Sequence, residues 1–290
     1  MNECRRHTSR PEHLWQGTVE ISENEPVARD TYRLRFPCPA VARQVLPGQF
    51  VMIRLPGGND PLLGRPLALY GVAPGPSGEA EGLDIVYQAI GRMTRRLAVL
   101  EPGSTLEVWG PLGNGFPPTE TKHLIMVGGG IGQTPFLALA RELLGLQQFG
   151  DPPRLAAQAQ QVTLCYGCRT ADYLACVEDF RHSGVTVHLS TDDGSAGRCG
   201  TVVDLIEPVV HASKFPCRLV ACGPEKMLHA TLAVAQRLKL PCQVSLESPM
   251  ACGIGICFSC VAKIRDASGQ WDYRRICVEG PVFEAADIEF

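Results

Sequence analysis

Four cysteines near the C-terminus, Cys252, Cys257, Cys260 and Cys277, are spaced C-x4-C-x2-C-x16-C within MACGIGICFSCVAKIRDASGQWDYRRICVEGPVF. The first three have the spacing of a [2Fe-2S] ligand set, and soft thiolates in a glycine-rich loop suit iron–sulfur chemistry. Gly253 and Gly255 would let the backbone fold tightly round inorganic sulfide and aim N–H groups at it. Structural zinc is the alternative, but Cys4 zinc sites normally carry two short C-x2-C hooks and only one is present. The chain has 13 cysteines, and MNECRRHTSRPEHLW offers arginines without the apolar stretch of a secretory signal, so metal or redox use is expected over a disulfide framework. Cys165 and Cys168 in CYGC sit on an apolar strand with no matching pair and read as packing.

A different chemistry is written in HLIMVGGGIGQTPFLALAREL, an apolar strand, a glycine turn and a helix expected to start with Thr134 as N-cap and Pro135 at its first position. Gly128, Gly129, Gly130 and Gly132 lack the Cβ atoms that would keep a pyrophosphate away from backbone N–H groups. Gln133 breaks the strict G-x-G-x-x-G pattern, and the same turn would serve as a purely structural loop. RLVACGPEKMLHATL repeats the strand–turn–helix form and sets Cys222, Gly223 and Pro224 at the C-terminal edge of the same sheet, where open α/β sheets bind ligands. Cys222 is either a buried strand-end thiol or the residue that meets a nicotinamide. In STDDGSAGRCG, Asp192 and Asp193 follow a strand where they would accept from ribose hydroxyls and repel a 2'-phosphate, which favours NAD; Arg198 leaves NADP open, and ordinary turn chemistry is the alternative.

Two segments of the first third point to a second phosphate site. GRPLALYGV offers Arg65 to a pyrophosphate, and IVYQAIGRMTRRL ends a strand in a turn, Gly91 to Thr94, whose N–H groups and hydroxyl would reach the same phosphates. Taken alone, both are also ordinary loops, with Arg65 a surface charge and Tyr87 a core aromatic.

The elements that must position these groups change texture along the chain. Residues 14–118 offer short Val-, Ile-, Tyr- and Phe-rich segments between Pro and Gly turns, as in an antiparallel β-barrel. Residues 119–245 alternate apolar strands with helical patterns, as in a parallel sheet with crossover helices. Residues 246–290 form a small cysteine-bearing unit, residues 1–13 a flexible tail, and QQFGDPPRLAAQAQQ an irregular surface excursion. At 290 residues and 45% hydrophobic content the chain can bury several cores. Its net charge of -3, with both signs interspersed, advertises no nucleic-acid or anionic-lipid surface, and the longest apolar run is broken by glycines and a proline, unlike a membrane span. A cytosolic protein is expected.

Taken in order, GRPLALY, YQAIGRMT, VGGGIGQTP, CGPEKM and the four-cysteine tail resemble the ferredoxin-NADP reductase superfamily, and within it CGIGICFSC followed by CVEGPVF is similar to the dihydroorotate dehydrogenase electron transfer subunits. The resemblance runs from about residue 14 to the end. It implies a multidomain β-barrel plus α/β fold: a FAD-binding barrel, a nucleotide-binding α/β domain and a [2Fe-2S] domain. By motif, Arg65, Pro66, Leu67 and Ala68 would line FAD, with Val86, Tyr87 and Gln88 on the next strand and Met93 and Thr94 at the pyrophosphate turn; the four tail cysteines would ligate the cluster. The sequence departs from the family where Ala68 replaces Ser or Thr, Met93 replaces Gly and Phe258 replaces a small residue. The implied partner is an FMN-bearing catalytic subunit in a hetero-oligomer that oxidises dihydroorotate to orotate in pyrimidine synthesis, with electrons passing through the cluster and FAD to NAD+. The rivals are a reductase subunit of another complex, of sulfhydrogenase or ferredoxin:NADPH oxidoreductase type, and a redox-sensing flavoprotein without turnover.

Overall fold

The computed structural model describes residues 14–58 and 60–289; the tail expected over residues 1–13 lies outside them. The first sheet is antiparallel throughout and contains β1 (Trp15–Glu20), β2 (Glu23–Ala28), β3 (Thr31–Pro37), β4 (Phe50–Arg54), β5 (Arg65–Pro74), β6 (Ala80–Gln88) and β7 (Thr105–Leu112) in the order β1-β7-β4-β5-β6-β3-β2. Its edge strands β1 and β2 follow each other in the chain, so the sheet curls on itself, and the Ser22 N–H donates to the Arg35 carbonyl at 2.9 Å. The short helices α1 (Pro39–Ala42) and α2 (Arg92–Leu97) belong to the same half. Val51, Ile53, Leu83, Ile85 and Val108 fill its interior.

The second sheet is built from β8 (His123–Gly129), β9 (Gln161–Cys168), β10 (Thr186–Thr191), β11 (Arg198–Cys199), β12 (Cys217–Cys222) and β13 (Cys242–Ser245), all parallel, with α3 (Phe136–Leu143), α4 (Val177–His182), α5 (Ile206–Ala212) and α6 (Glu225–Leu238) between them. Leu124–Val127 of β8 are apolar without alternation because both faces are covered: Leu124 and Met126 pack towards α3, Ile125 and Val127 towards α5 and α6. Helix α3 begins at Phe136 and not at Pro135, because a single 3-10 turn, Gly130–Gln133, comes first. Cys165 and Cys168 are buried on β9, as strand packing requires. Residues 147–160 contain neither helix nor strand, yet the excursion is pinned: the Arg154 guanidinium donates to both Glu142 carboxylate oxygens at 2.7 and 2.6 Å.

The tail contributes β14 (Val261–Arg265), β15 (Trp271–Arg275), β16 (Val282–Glu284) and β17 (Ile288–Glu289). Strands β15, β14 and β17 make a three-stranded sheet, whereas β16 joins the second sheet antiparallel to β13. Docking of the two large sheets is polar as well as apolar. Tyr70 and Val86 of the barrel enter the α3/α4 core, and the Tyr70 hydroxyl and Arg33 guanidinium both donate to Asp179 of α4, the former at 2.7 Å.

Candidate functional site

The glycine turn after β8 and the Cys-Gly-Pro turn after β12 face each other. A Cβ on Gly132 would lie 2.2 Å from the Cys222 carbonyl oxygen, and one on Gly223 would lie 3.1 Å from Gly129 Cα. Only glycines allow two strand ends to approach so closely. Gly130, at φ +56°, has no heavy atom within 4 Å of where its Cβ would stand, so its backbone opens onto free space. That space is a cleft of about 660 Å³, lined by Gly129, Gly130, Gly223 and Pro224, by Asp192, and from the barrel by Thr31, Gln88 and Ile90. Of the two acidic residues after β10, Asp192 faces the cleft; Asp193 is consumed by its own turn, its carboxylate accepting from the Ser195 N–H at 3.0 Å and hydroxyl at 2.6 Å.

Cys222 lies behind the lining, 2% exposed. Burial pushes its thiol well up, so it stays protonated and donates to Glu247 Oε1 at 3.8 Å. Glu247 is the group that reaches the cleft, open to solvent on that side and enclosed on the others; the enclosure raises its carboxyl above the ordinary glutamate range. Sequence reasoning passed over Glu247. Its available signal was its position, the first charged residue after β13 at the C-terminal edge of the sheet.

On the barrel, Arg65 opens β5, and its guanidinium folds back on the Leu63 and Gly64 carbonyls at 3.1 and 3.0 Å, with no carboxylate partner among the described residues. An ion pair between Arg92 and Asp60 holds its loop beside α2. Pro66, Leu67 and Ala68 are half-buried on β5, Ala68 opposite Phe50. Val86, Tyr87 and Met93 are buried, and the Tyr87 hydroxyl donates to Asn24 Oδ1 at 3.0 Å; Gln88, at the end of the same strand as Val86 and Tyr87, lines the cleft. At the start of α2 the Thr94 hydroxyl accepts from the Gly91 N–H at 3.1 Å.

The four tail cysteines lie in and beside an irregular loop over residues 246–260. Cys260 and Cys277 are each 1% exposed, Cys252 is half-buried and Cys257 exposed. The Ser259 hydroxyl, 3.2 Å from Cys257 Sγ, and the Ser259 backbone, followed by Cys252, bring the Cys257 thiol down to about 6; burial and the neighbouring Cys260 push Cys277 up to about 12. Gly253 and Gly255 take positive φ, +74° and +82°. A Cβ on Gly253 would strike Met52 at 2.6 Å, so this loop is pressed against the barrel.

Three matches to known families cover this arrangement in order: an oxidoreductase FAD-binding domain over residues 18–116, an oxidoreductase NAD-binding domain over 126–232, and the iron–sulfur cluster binding domain of dihydroorotate dehydrogenase B over 247–289. The electron transfer subunit of dihydroorotate dehydrogenase B (NAD(+)) of Caldanaerobacter subterraneus is 33% identical over 95% of this chain and 99% of its own, and that of Geobacillus kaustophilus 36% over 93% and 97%. The chain belongs to the family of dihydroorotate dehydrogenase B electron transfer subunits. Among solved structures, an NADH-dependent reduced ferredoxin-NADP oxidoreductase, studied for flavin-based electron bifurcation, superposes with a TM-score of 0.78 at 28% identity, over 93% of this chain and 89% of that one. A ferredoxin reductase of carbazole 1,9a-dioxygenase shares the fold, with a TM-score of 0.63 at 20% identity over 79% and 67% of the two chains.

The residues present fit the cofactors that these domains take. Cys260 and Cys277, buried in one core, and Cys252 and Cys257 on the loop above supply the four thiolates that a [2Fe-2S] cluster takes. The uncovered backbone at Gly130 and the unpaired guanidinium of Arg65 suit the phosphates of NAD and FAD respectively. No helix of the described residues is long and apolar enough to cross a membrane.

Proposed function

We propose that this chain is the cytosolic electron-transfer subunit of an NAD-linked dihydroorotate dehydrogenase, carrying electrons from the FMN of a catalytic partner subunit to NAD+ and so supporting oxidation of dihydroorotate to orotate. The observation that carries this reading is that one barrel touches both ends of the route. The end of its β6 lines the dinucleotide cleft, and its β4–β7 face carries the cysteine loop. When bound, nicotinamide and flavin supply hydride transfer while flavin and cluster supply one-electron transfer.

The chain's own residues bind and orient. Gly129 and Gly130, which line the cleft, present N–H groups to the NAD pyrophosphate, Gly128 and Gly132 let the backbone pack closely behind them, Gly223 and Pro224 close the turn opposite, and Asp192 accepts from a ribose hydroxyl. Glu247 forms a polar wall of the cleft, and the buried Cys222 thiol behind it donates to Glu247 Oε1 and holds that side chain in place. Arg65 and the Gly91–Thr94 turn hold the FAD pyrophosphate; Pro66, Leu67, Ala68 and Gln88 line the flavin, joined by the backbone of Val86, Tyr87 and Met93. Cys252, Cys257, Cys260 and Cys277 ligate the cluster. Cys257 is the exposed ligand, and Ile256 and Phe258 beside it are 75% and 60% exposed, which makes this side the approach for the partner. Residues 14–118, 119–245 and 246–290 are the working units, the third lending β16 to the second.

Dihydroorotate-dependent NADH formation by this chain, purified anaerobically with a candidate FMN-bearing subunit from the same source, tests the reading. Activity that needs both chains is expected. Flavin and cluster reducible by NADH, without any dihydroorotate-linked activity, would move the subunit to another reductase complex.

A further inference from the structure

Strand β4 is buried on both faces. Val51 and Ile53 point into the barrel, while Phe50 and Met52 point outward into a separate core with Leu112, Met250, Cys260, Ile276 and Cys277. Trp109 of β7 faces Met52 and packs on this outer core. Between the pairs Phe50↔Leu112 and Met52↔Trp109 the register slips by one residue, a bulge of the kind that re-aims a side chain. The indole N–H then donates to the Cys252 carbonyl at 2.9 Å. Its six-membered ring lies over Gly64, where a Cβ would stand 2.7 Å from the ring. A single side chain therefore spans from the residue before Arg65 to the first ligand of the cysteine loop.

We propose that Trp109 is a positioning residue for the cluster: through its hydrogen bond to Cys252 it seats the ligand loop on the flavin barrel and fixes the separation across which electrons pass. The inference rests on the function proposed above. Its physical basis is that the loop has no secondary structure of its own, so its seat is set by a few contacts, of which this is a direct bond to a ligand residue. Removing the donor takes away this bond and leaves a partly buried carbonyl without its protein partner, which favours loop opening.

Trp109→Phe keeps an aromatic ring and removes the donor. The full chain, isolated anaerobically with flavin and cluster, is challenged in two ways. A strong iron chelator should bleach the cluster about 5–30-fold faster in the variant, the factor expected for one modest interaction lost. NADH, delivering two electrons as hydride to the flavin, of which the cluster accepts one, should bleach the flavin as in the parent while cluster bleaching lags behind it. Wild-type chelator resistance with cluster and flavin bleaching in step would overturn the proposal; faster chelator loss with no lag would reduce Trp109 to a packing residue and overturn it equally. Should the variant emerge without flavin, Gly253→Ala, which forces the loop off Met52 from the other side, must give the same lag for the proposal to stand. If NADH fails to bleach the parent's flavin, the electron-transfer reading has failed, and the chelator comparison still decides whether Trp109 holds the loop.

Discussion

The dinucleotide cleft and the cysteine loop are organised by different means. Around the cleft, β8 and β12 are adjacent, buried on both faces and end in glycine turns pressed together, so the walls are set by backbone before any ligand arrives. The cysteine loop runs from 246 to 260 without a regular element and is tied to the barrel by a side chain, Trp109 to Cys252, while Asn114 holds the segment beyond Cys277 through the carbonyls of Glu279 and Val282 at 3.1 and 2.8 Å. A backbone-built site tolerates loss of its ligand. A side-chain-stitched loop depends on the metal to complete its folding.

The largest effect should therefore follow removal of a ligand from the loop. Cys257→Ser takes the exposed cysteine, whose hydroxyl replacement is a poor iron ligand, and is expected to abolish the iron–sulfur absorbance while flavin content and NADH bleaching of the flavin persist. Visible spectra and electron paramagnetic resonance of the anaerobically purified variant check this. Retention of the full cluster signal would remove Cys257 from the ligand set and with it the contrast between the two regions.

Next in size is the reverse experiment on the cleft. Gly132→Ala sets a methyl group 2.2 Å from the Cys222 carbonyl, a contact with backbone that cannot rotate away, so the two turns must separate. Overpacking of this kind costs about 1–3 kcal/mol and here falls on the pyrophosphate turn. The expected outcome is a raised NADH concentration for half-maximal flavin bleaching, with cluster absorbance and its reduction by dithionite unchanged. Equal damage to both regions would show that they are not organised independently.

How much of this was legible in the sequence follows the same division. The glycine turns and the alternating strands and helices of residues 119–245 were readable because local pattern produces them, and the cysteine spacing was readable because ligands must be close in the chain. Features made by distant contacts were not. QFVMIRL announces a barrel strand, but nothing in it says that Phe50 and Met52 face a segment 200 residues later. Thr134 and Pro135 are strong helix-start signals, yet the chain inserts a 3-10 turn first, since Gly132 must press against the Cys222 carbonyl. Glu247 is an ordinary polar residue until the fold sets it against Cys222.

The smallest effect tests the claim that the parallel sheet is set by its own packing. His123, the first residue of β8, is fully buried; its Nδ1 lies 2.7 Å from the Ser213 hydroxyl and its Nε2 2.9 Å from the Thr163 hydroxyl. Burial lowers its pKa below 6.5, so the folded sheet holds the ring neutral where the unfolded chain would already take a proton. Above the unfolded pKa neither state binds that proton and stability is level with pH. As pH falls through about 6.5 the unfolded state gains the proton first, and stability declines until the folded pKa is passed. Urea midpoints measured by circular dichroism should fall between about pH 7 and pH 5 in the parent, and more gently in His123→Asn, which keeps hydrogen-bonding capacity without titrating. An identical slope in both proteins would mean that the acid sensitivity lies elsewhere, in the carboxylates of the docking surfaces, and that the sheet is less self-sufficient than its packing implies.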